Sequence, residues 1–225
     1  MTLSKTGHAV HIAGQLRGRW NENWNPEADR FKKQHYAFAR ALRLVEDVDA
    51  KSTEMAKDRK YSAEGRTQIM RDWLAANVVK QVRQASSYAL MAREELKLEL
   101  ASLNTFRATP GDIVGAIRRN EIRTWLRSLD VGAVLQVLSA KDTPSEVYDA
   151  LFDSPTPLSG IADIEWDTFL PRMLAGKYPE KIAEIEAANE AAKVAEVALD
   201  IAKQEVKRTA GFEQQNEFVQ WYEAA

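Results

Sequence analysis

Apolar positions along the chain fall into long stretches with helical spacing, the most regular of them near the C-terminus. From Pro179 to about Arg208, the positions Ile185, Ala188, Ala192, Ala195, Leu199, Ala202, Val206 and Thr209 step by three and four residues in alternation. This is a heptad seam, which keeps one face of a helix against a partner helix. Most seam positions are alanine, so a partner backbone can come close while each position buries little apolar area. Its acids lead (Glu180, Glu184, Glu186, Glu190) and its bases trail (Lys203, Lys207, Arg208), as the helix dipole favours. A second stripe runs through Met70, Leu74, Val78, Val82, Ala85, Ala89, Ala92, Leu96, Leu100 and Leu103. It advances by about 3.7 residues per step, close to the straight-helix period. A third, with Phe31, Phe38, Leu42 and Val45 on one face and Leu44 and Val48 beside them, ends near Lys57.

Local signals punctuate these stripes. Asn25-Pro26 reads as a cap followed by proline at the first helical position. Ser62 offers the next cap, with Tyr61 before it as a staple. The second and third stripes then form a long antiparallel hairpin joined by the polar turn at Lys57-Asp58-Arg59-Lys60. Thr109-Pro110-Gly111-Asp112 restarts the chain with a cap at Thr109. Short helices follow: Ile113 and Ile117 lead into Ile122, Trp125, Leu126 and Leu129, and Asp130 caps Val134, Leu135 and Leu138. Thr143-Pro144-Ser145-Glu146 matches a capping box ahead of Val147, Ala150 and Leu151. Ser154-Pro155-Thr156-Pro157 and Ser159-Gly160 read as a loop.

Both ends differ from the stripes. Residues 1–25 contain Gly7, Gly14 and Gly18, with His8, Val10 and Ile12 in alternation, and read as an extended arm. Trp20 and Trp24 end that arm as apolar anchors, packing either on their own chain or on a neighbouring subunit. Beyond a break at Gly211, Phe212, Phe218, Val219, Trp221 and Tyr222 crowd into an aromatic tail that is costly to leave in water. The expected fold is all-α and elongated. It comprises an N-terminal arm (1–25), a helical hairpin (26–108), a small helical subdomain (109–178) and a long alanine-rich helix with its tail (179–225).

Composition narrows the functional classes. A net charge of −2, from 31 basic and 33 acidic side chains, gives no global attraction to nucleic acid or membrane. The absence of cysteine removes disulfides and thiolate chemistry. No apolar run approaches the ~20 residues that span a bilayer, and no signal-peptide h-region is present. A soluble protein, cytoplasmic at synthesis, is expected.

Candidate chemistry is sparse. His8 and His11 are three apart, but the segment does not read as a helix and offers no third metal ligand. His35 falls on the apolar face of the first long helix and reads as structural. Asp163, Glu165 and Asp167 suit a helix start better than acid–base work, and Glu46, Asp47 and Asp49 suit a solvated face. Phosphate-binding glycine loops and nucleophile elbows are both missing. No enzyme activity and no cofactor or metal are expected. The best polar constellation is Arg119, Arg123 and Arg127 at four-residue spacing, with Arg118 beside them. Such a stripe can meet phosphates or an acidic protein, although Glu121 and Asp130 dilute it.

The segment Tyr61-Ser62-Ala63-Glu64-Gly65, the long helix after it, Glu121-Ile122-Arg123-x-x-Leu126 and Ala150-Leu151-Phe152-Asp153-Ser154-Pro155 resemble small helical virion proteins of tailed bacteriophages. The resemblance covers residues 61 to 180 and leaves out the arm and the seam helix. It implies a non-enzymatic structural protein, present in many copies in the assembled virion, that binds capsid, portal-vertex or tail proteins, or packaged DNA. Long helices with small-residue seams, an arm and an aromatic tail lead independently to assembly with other subunits or with copies of itself. The partner-binding residues expected are Trp20, Trp24, Arg119, Arg123, Arg127, Phe212, Phe218, Trp221 and Tyr222. The alternative is a helical nucleic-acid-associated regulator using the Arg119, Arg123 and Arg127 face.

Overall fold

The computed structural model describes residues 8–103, 109–140, 142–153 and 163–225, and among these there are helices and turns but no strand. The all-α expectation is met. The chain divides into two compact units, residues 1–95 with 187–225 and residues 96–186. Lys5, Gly7 and the loop from Ser154 to Gly160 lie outside the described residues, as do the side chains of His8, Asp163, Glu165, Trp166 and Asp167.

The first unit contains α1 (His8–Arg17), α2 (Asp29–Lys57), α3 (Ala63–Leu74) and most of α4 (Lys80–Leu103). After the second unit, the chain returns with most of α9 (Pro179–Thr209) and with α10 (Gln215–Ala224). The second unit holds the end of α4, then α5 (Ile113–Arg127), α6 (Val131–Ser139), α7 (Ser145–Phe152), α8 (Asp163–Lys177) and the start of α9.

The first unit is built on α2, α4 and α9. Ala37 and Ala41 from α2, Ala85 and Ala89 from α4, and Ala195, Ala198 and Ala202 from α9 share one buried cluster with Phe38, Leu42, Val45 and Leu199. The alanine seam therefore finds its partners within its own chain. Its buried arc is wider than the heptad pair of columns, because Ala191, Ala198 and Glu205 form a third buried column seven residues apart. A helix seated against two neighbours needs that extra column; a two-stranded coiled coil does not. Further along, Leu44, Val48 and Met55 meet Met70, Leu74, Val78 and Val82, with Val206 and Ala210 of the α9 end. α2 and α9 thus run in the same direction, and α4 runs against both.

Between α3 and α4, residues Ala75–Val79 form one π-helical turn that keeps the helix continuous. The stripe explains it. Met70, Leu74, Val78 and Val82 are four apart, and each four-residue step drifts about 40° around an α-helix. The extra residue of a π turn takes back about 100°. All four side chains stay buried as a result.

Several local expectations are corrected. Residues 8–17 are helix, not extended arm: Val10, Ala13 and Leu16 are spaced by three, and Ala13 and Leu16 are buried against α2, so burial overrides the glycine signal. Asn25 does not cap α2. Its side chain accepts from the Glu27 amide at 3.0 Å, and the helix begins at Asp29 with Ala28 as an uncapped N-terminus. Asp112, not Thr109, caps α5, accepting from the Gly115 amide at 2.9 Å. The Thr143–Glu146 capping box does not form, since α7 starts at Ser145 without a side-chain cap and the Thr143 hydroxyl donates to the Val137 carbonyl instead. Ser62 and Asp130 cap as expected, at 3.1 and 2.9 Å.

Gly211 ends α9 with φ of 71°. Its amide donates to the Arg208 carbonyl at 3.1 Å, and the next amide, of Phe212, donates to the Lys207 carbonyl at 3.2 Å. That pair of bonds is a Schellman closure, whose left-handed residue favours glycine.

Candidate functional site

The arginine stripe lies on α5, where helical geometry separates its members. At 100° per residue, Arg119 and Arg123 fall on the same side as Ile122 and Leu126, facing the core of the second unit. That core joins Leu126, Val134, Leu138, Val147, Tyr148, Leu151, Phe169 and Met173. Tyr148 is fully buried in it and donates to the Leu138 carbonyl at 3.2 Å.

Arg119 is buried, with 8% of its surface exposed. Its Nε donates to Asp153 Oδ2 at 2.8 Å and its Nη1 to Asp112 Oδ2 at 3.2 Å. Arg123 Nη1 donates to the Ala150 carbonyl at 3.0 Å, in the last turn of α7, and lies 3.7 Å from Asp153. A cation at that position meets the negative end of the α7 dipole. These two arginines pin α5 to the end of α7. Arg127 stays on its own helix, bonding the Arg123 carbonyl at 3.2 Å and Thr124 Oγ1 at 3.3 Å. Arg118 faces Glu146 across 3.4 Å, and both are well exposed, an arrangement that contributes little to stability. The expectation of one cationic face for phosphates or acidic proteins is therefore corrected: two of its three arginines are consumed inside the unit.

Asp112 serves both neighbours. Its carboxyl is held below the usual aspartate range by the Gly115 amide first and by Arg119 second. A Cβ at position 115 would lie 1.9 Å from Asp112 Oδ2 and 2.8 Å from Arg119 Nη1, so a larger residue there would force both side chains to shift.

The opposite side of α5 is open and holds four apolar side chains, with the exposed Glu121 and Thr124 between Ile117 and Trp125. Ile113, Val114, Ile117 and Trp125 are 71, 69, 56 and 45% exposed, and at 100° per residue they fall within about 120° of one another. Val131, the first residue of α6, is also exposed. Isolated exposed apolar side chains are ordinary, but Ile113, Val114 and Ile117 lie together in the first turns of α5, and such groupings mark surfaces that meet something. By spacing alone, Ile113 and Ile117 belong to the stripe that leads into Ile122, Trp125 and Leu126. What separates them from core positions is visible only once Arg119 and Leu126 are seen to fix which side faces inward.

No protein-family model, no curated protein and no solved structure matches the chain.

The other expected partner-binding residues pack within the first unit. Trp20 stacks on Phe38 with centroids 5.1 Å apart and meets His35 edge-on at 5.0 Å. Its indole N–H donates to the Trp24 carbonyl at 3.1 Å, and Trp24 stacks on Phe31 at 6.3 Å. Both tryptophans thus pack on α2 of their own chain. The aromatic tail does the same. Phe218 is buried among Val48, Leu74 and Val206, with Phe212, Trp221 and Tyr222 packed beside it. Arg71 lies 4.2 Å over the Phe212 ring and donates to the Ala210 carbonyl at 2.7 Å. Arg83 lies over the Tyr222 ring and donates to the Tyr222 carbonyl. Burial raises the Tyr222 phenol pKa.

Among the described residues, no group of three His, Asp or Glu side chains is placed to hold a metal ion, and no helix is long and apolar enough to cross a membrane.

Proposed function

We propose that this chain is a non-enzymatic assembly component of a multi-subunit complex, in the manner of the tailed-phage virion proteins it resembles. Its partners in that reading are capsid, portal-vertex or tail proteins, or further copies of itself. The supporting observation is the open apolar face of α5. Ile113, Val114, Ile117 and Trp125 stand in solvent on a helix whose other side is fixed by buried arginine contacts. A rigid helix presenting aliphatic anchors and a tryptophan is suited to lie against a protein groove.

The partner surface thus moves from the tail and the arginine stripe to α5. Trp20, Trp24 and the tail aromatics contribute by holding the first unit together.

Co-sedimentation tests the reading. The chain is expected to travel with the particle fraction of its source, and Ile117→Glu, which adds a charge on an already exposed position, is expected to reduce the bound fraction at least tenfold while leaving the helical signal intact. A wild-type chain that stays in the supernatant as a monomer would remove the proposal.

A further inference from the structure

The first half of α2 carries a charge pattern that the α5 reading does not use. Between Arg30 and Val45 the sequence holds Arg30, Lys32, Lys33, Arg40 and Arg43, together with His35, and no acid; Glu46, Asp47 and Asp49 follow at once. Net charge of the whole chain conceals this segregation. A groove of about 380 Å³ lies along that half, lined by Lys32, His35, Tyr36, Ala39, Arg40 and Arg43, with Pro26 and Glu27 at one end.

Lys32, Tyr36, Ala39 and Arg43 follow one another at four, three and four residues, so they share a face of α2. Lys32 and Arg43 are exposed at its two ends. Their neighbours are already engaged: Lys33 with Glu95, Arg40 with Gln81, and Arg17 of α1 with Glu46. Those contacts leave the two terminal cations turned to solvent while fixing the helix beneath them. Between the cations stands Tyr36, 38% exposed, its ring held against Tyr88 of α4 with centroids 4.6 Å apart. Ala39 keeps the floor low between the tyrosine and Arg43.

We infer that this groove binds a single-stranded nucleic acid, with Lys32 and Arg43 on backbone phosphates and Tyr36 under a base. The cations are eleven residues apart, about 16 Å along a helix, which accommodates roughly four or five phosphates at the ~3.4 Å spacing of a stacked strand. Cations alternating with an exposed, immobilised aromatic ring suit a strand whose bases are free to stack. An acidic peptide would use the cations and leave the ring unsatisfied; a duplex keeps its bases from the ring. The site is separate in residues from the α5 face and does not depend on it.

Fluorescence anisotropy with labelled oligo(dT), the same length of duplex DNA, and polyglutamate tests the inference. Oligo(dT) is expected to bind at low salt and weaken as salt rises. The double variant Lys32→Gln/Arg43→Gln is expected to lower the affinity at least tenfold and to reduce the slope of log K against log salt by about 1.4, from two phosphates at ~0.7 each. Tyr36→Ala is expected to lower affinity about tenfold with the slope unchanged, a signature that lost charge cannot produce. Lys193→Gln, on the exposed side of α9, serves as the control and should bind as wild type. Absence of binding, equal binding by wild type and the double variant, or duplex or polyglutamate binding as tight as oligo(dT) would each overturn it.

Discussion

Asp112 shows how one side chain sets the local order of the second unit. One oxygen closes the first turn of α5 on the Gly115 amide and the other receives Arg119, which also reaches Asp153. Its lowered pKa fixes the sign of the pH dependence. The contribution is fully present above the unfolded value, near 3.9, and is lost as pH falls through the lower folded value. Urea unfolding from about pH 6 down to about pH 2 should therefore show a smaller acid loss of stability for Asp112→Asn than for wild type; identical pH profiles would show that the carboxylate is not engaged. Thr109-Pro110-Gly111-Asp112 contains two possible helix starts, and proline after Thr109 favours the first by sequence alone. The decision comes from Arg119, whose own partner is Asp153. The failed Thr143 box has the same origin: a hydroxyl that suits a cap finds the Val137 carbonyl instead.

At the scale of elements, the alanine columns decide how α2, α4 and α9 come together. Alanine allows close backbone approach, and a larger side chain at a fully buried position forces the helices apart or off their rotamers. Ala195 is fully buried in the shared cluster, so Ala195→Leu should destabilise by about 1–3 kcal/mol. Ala183→Leu, on an exposed position of the same helix, should change little; denaturant midpoints separate the two. This seam and the two arms of the hairpin were legible because their periodicity extends over many turns. The π turn is not legible, because a mean step near 3.7 residues matches a straight helix, and α1 reads two ways because a five-residue alternation, His8 to Ile12, fits period two as readily as Val10, Ala13 and Leu16 fit a helix. Burial of Leu16 against α2, invisible in the chain itself, chooses between them.

For the molecule as a whole, the boundaries of the two units fall inside helices, near residue 95 in α4 and residue 187 in α9. Composition and loop signals mark where helices stop, so they locate the turns before Ile113 and Pro179 but not a unit boundary that a helix crosses. The surface followed the same rule. Aromatic residues look like docking groups by type, and arginines by spacing, yet Phe218, Arg119 and Arg123 are engaged inside their units, while Arg127 stays exposed on its own helix. The α5 face escaped notice because isoleucine and valine at helical spacing read as core. Since the chain has no cysteine, Ile117→Cys places a single thiol on that face, and Val197→Cys places one on an exposed position of α9. Maleimide labelling rates, compared between the isolated chain and the particle fraction that retains it, test the assembly role most directly. The Ile117→Cys thiol should react at least tenfold more slowly in the particle while the Val197→Cys thiol keeps its rate; equal labelling of Ile117→Cys in both states would contradict a docking role for α5.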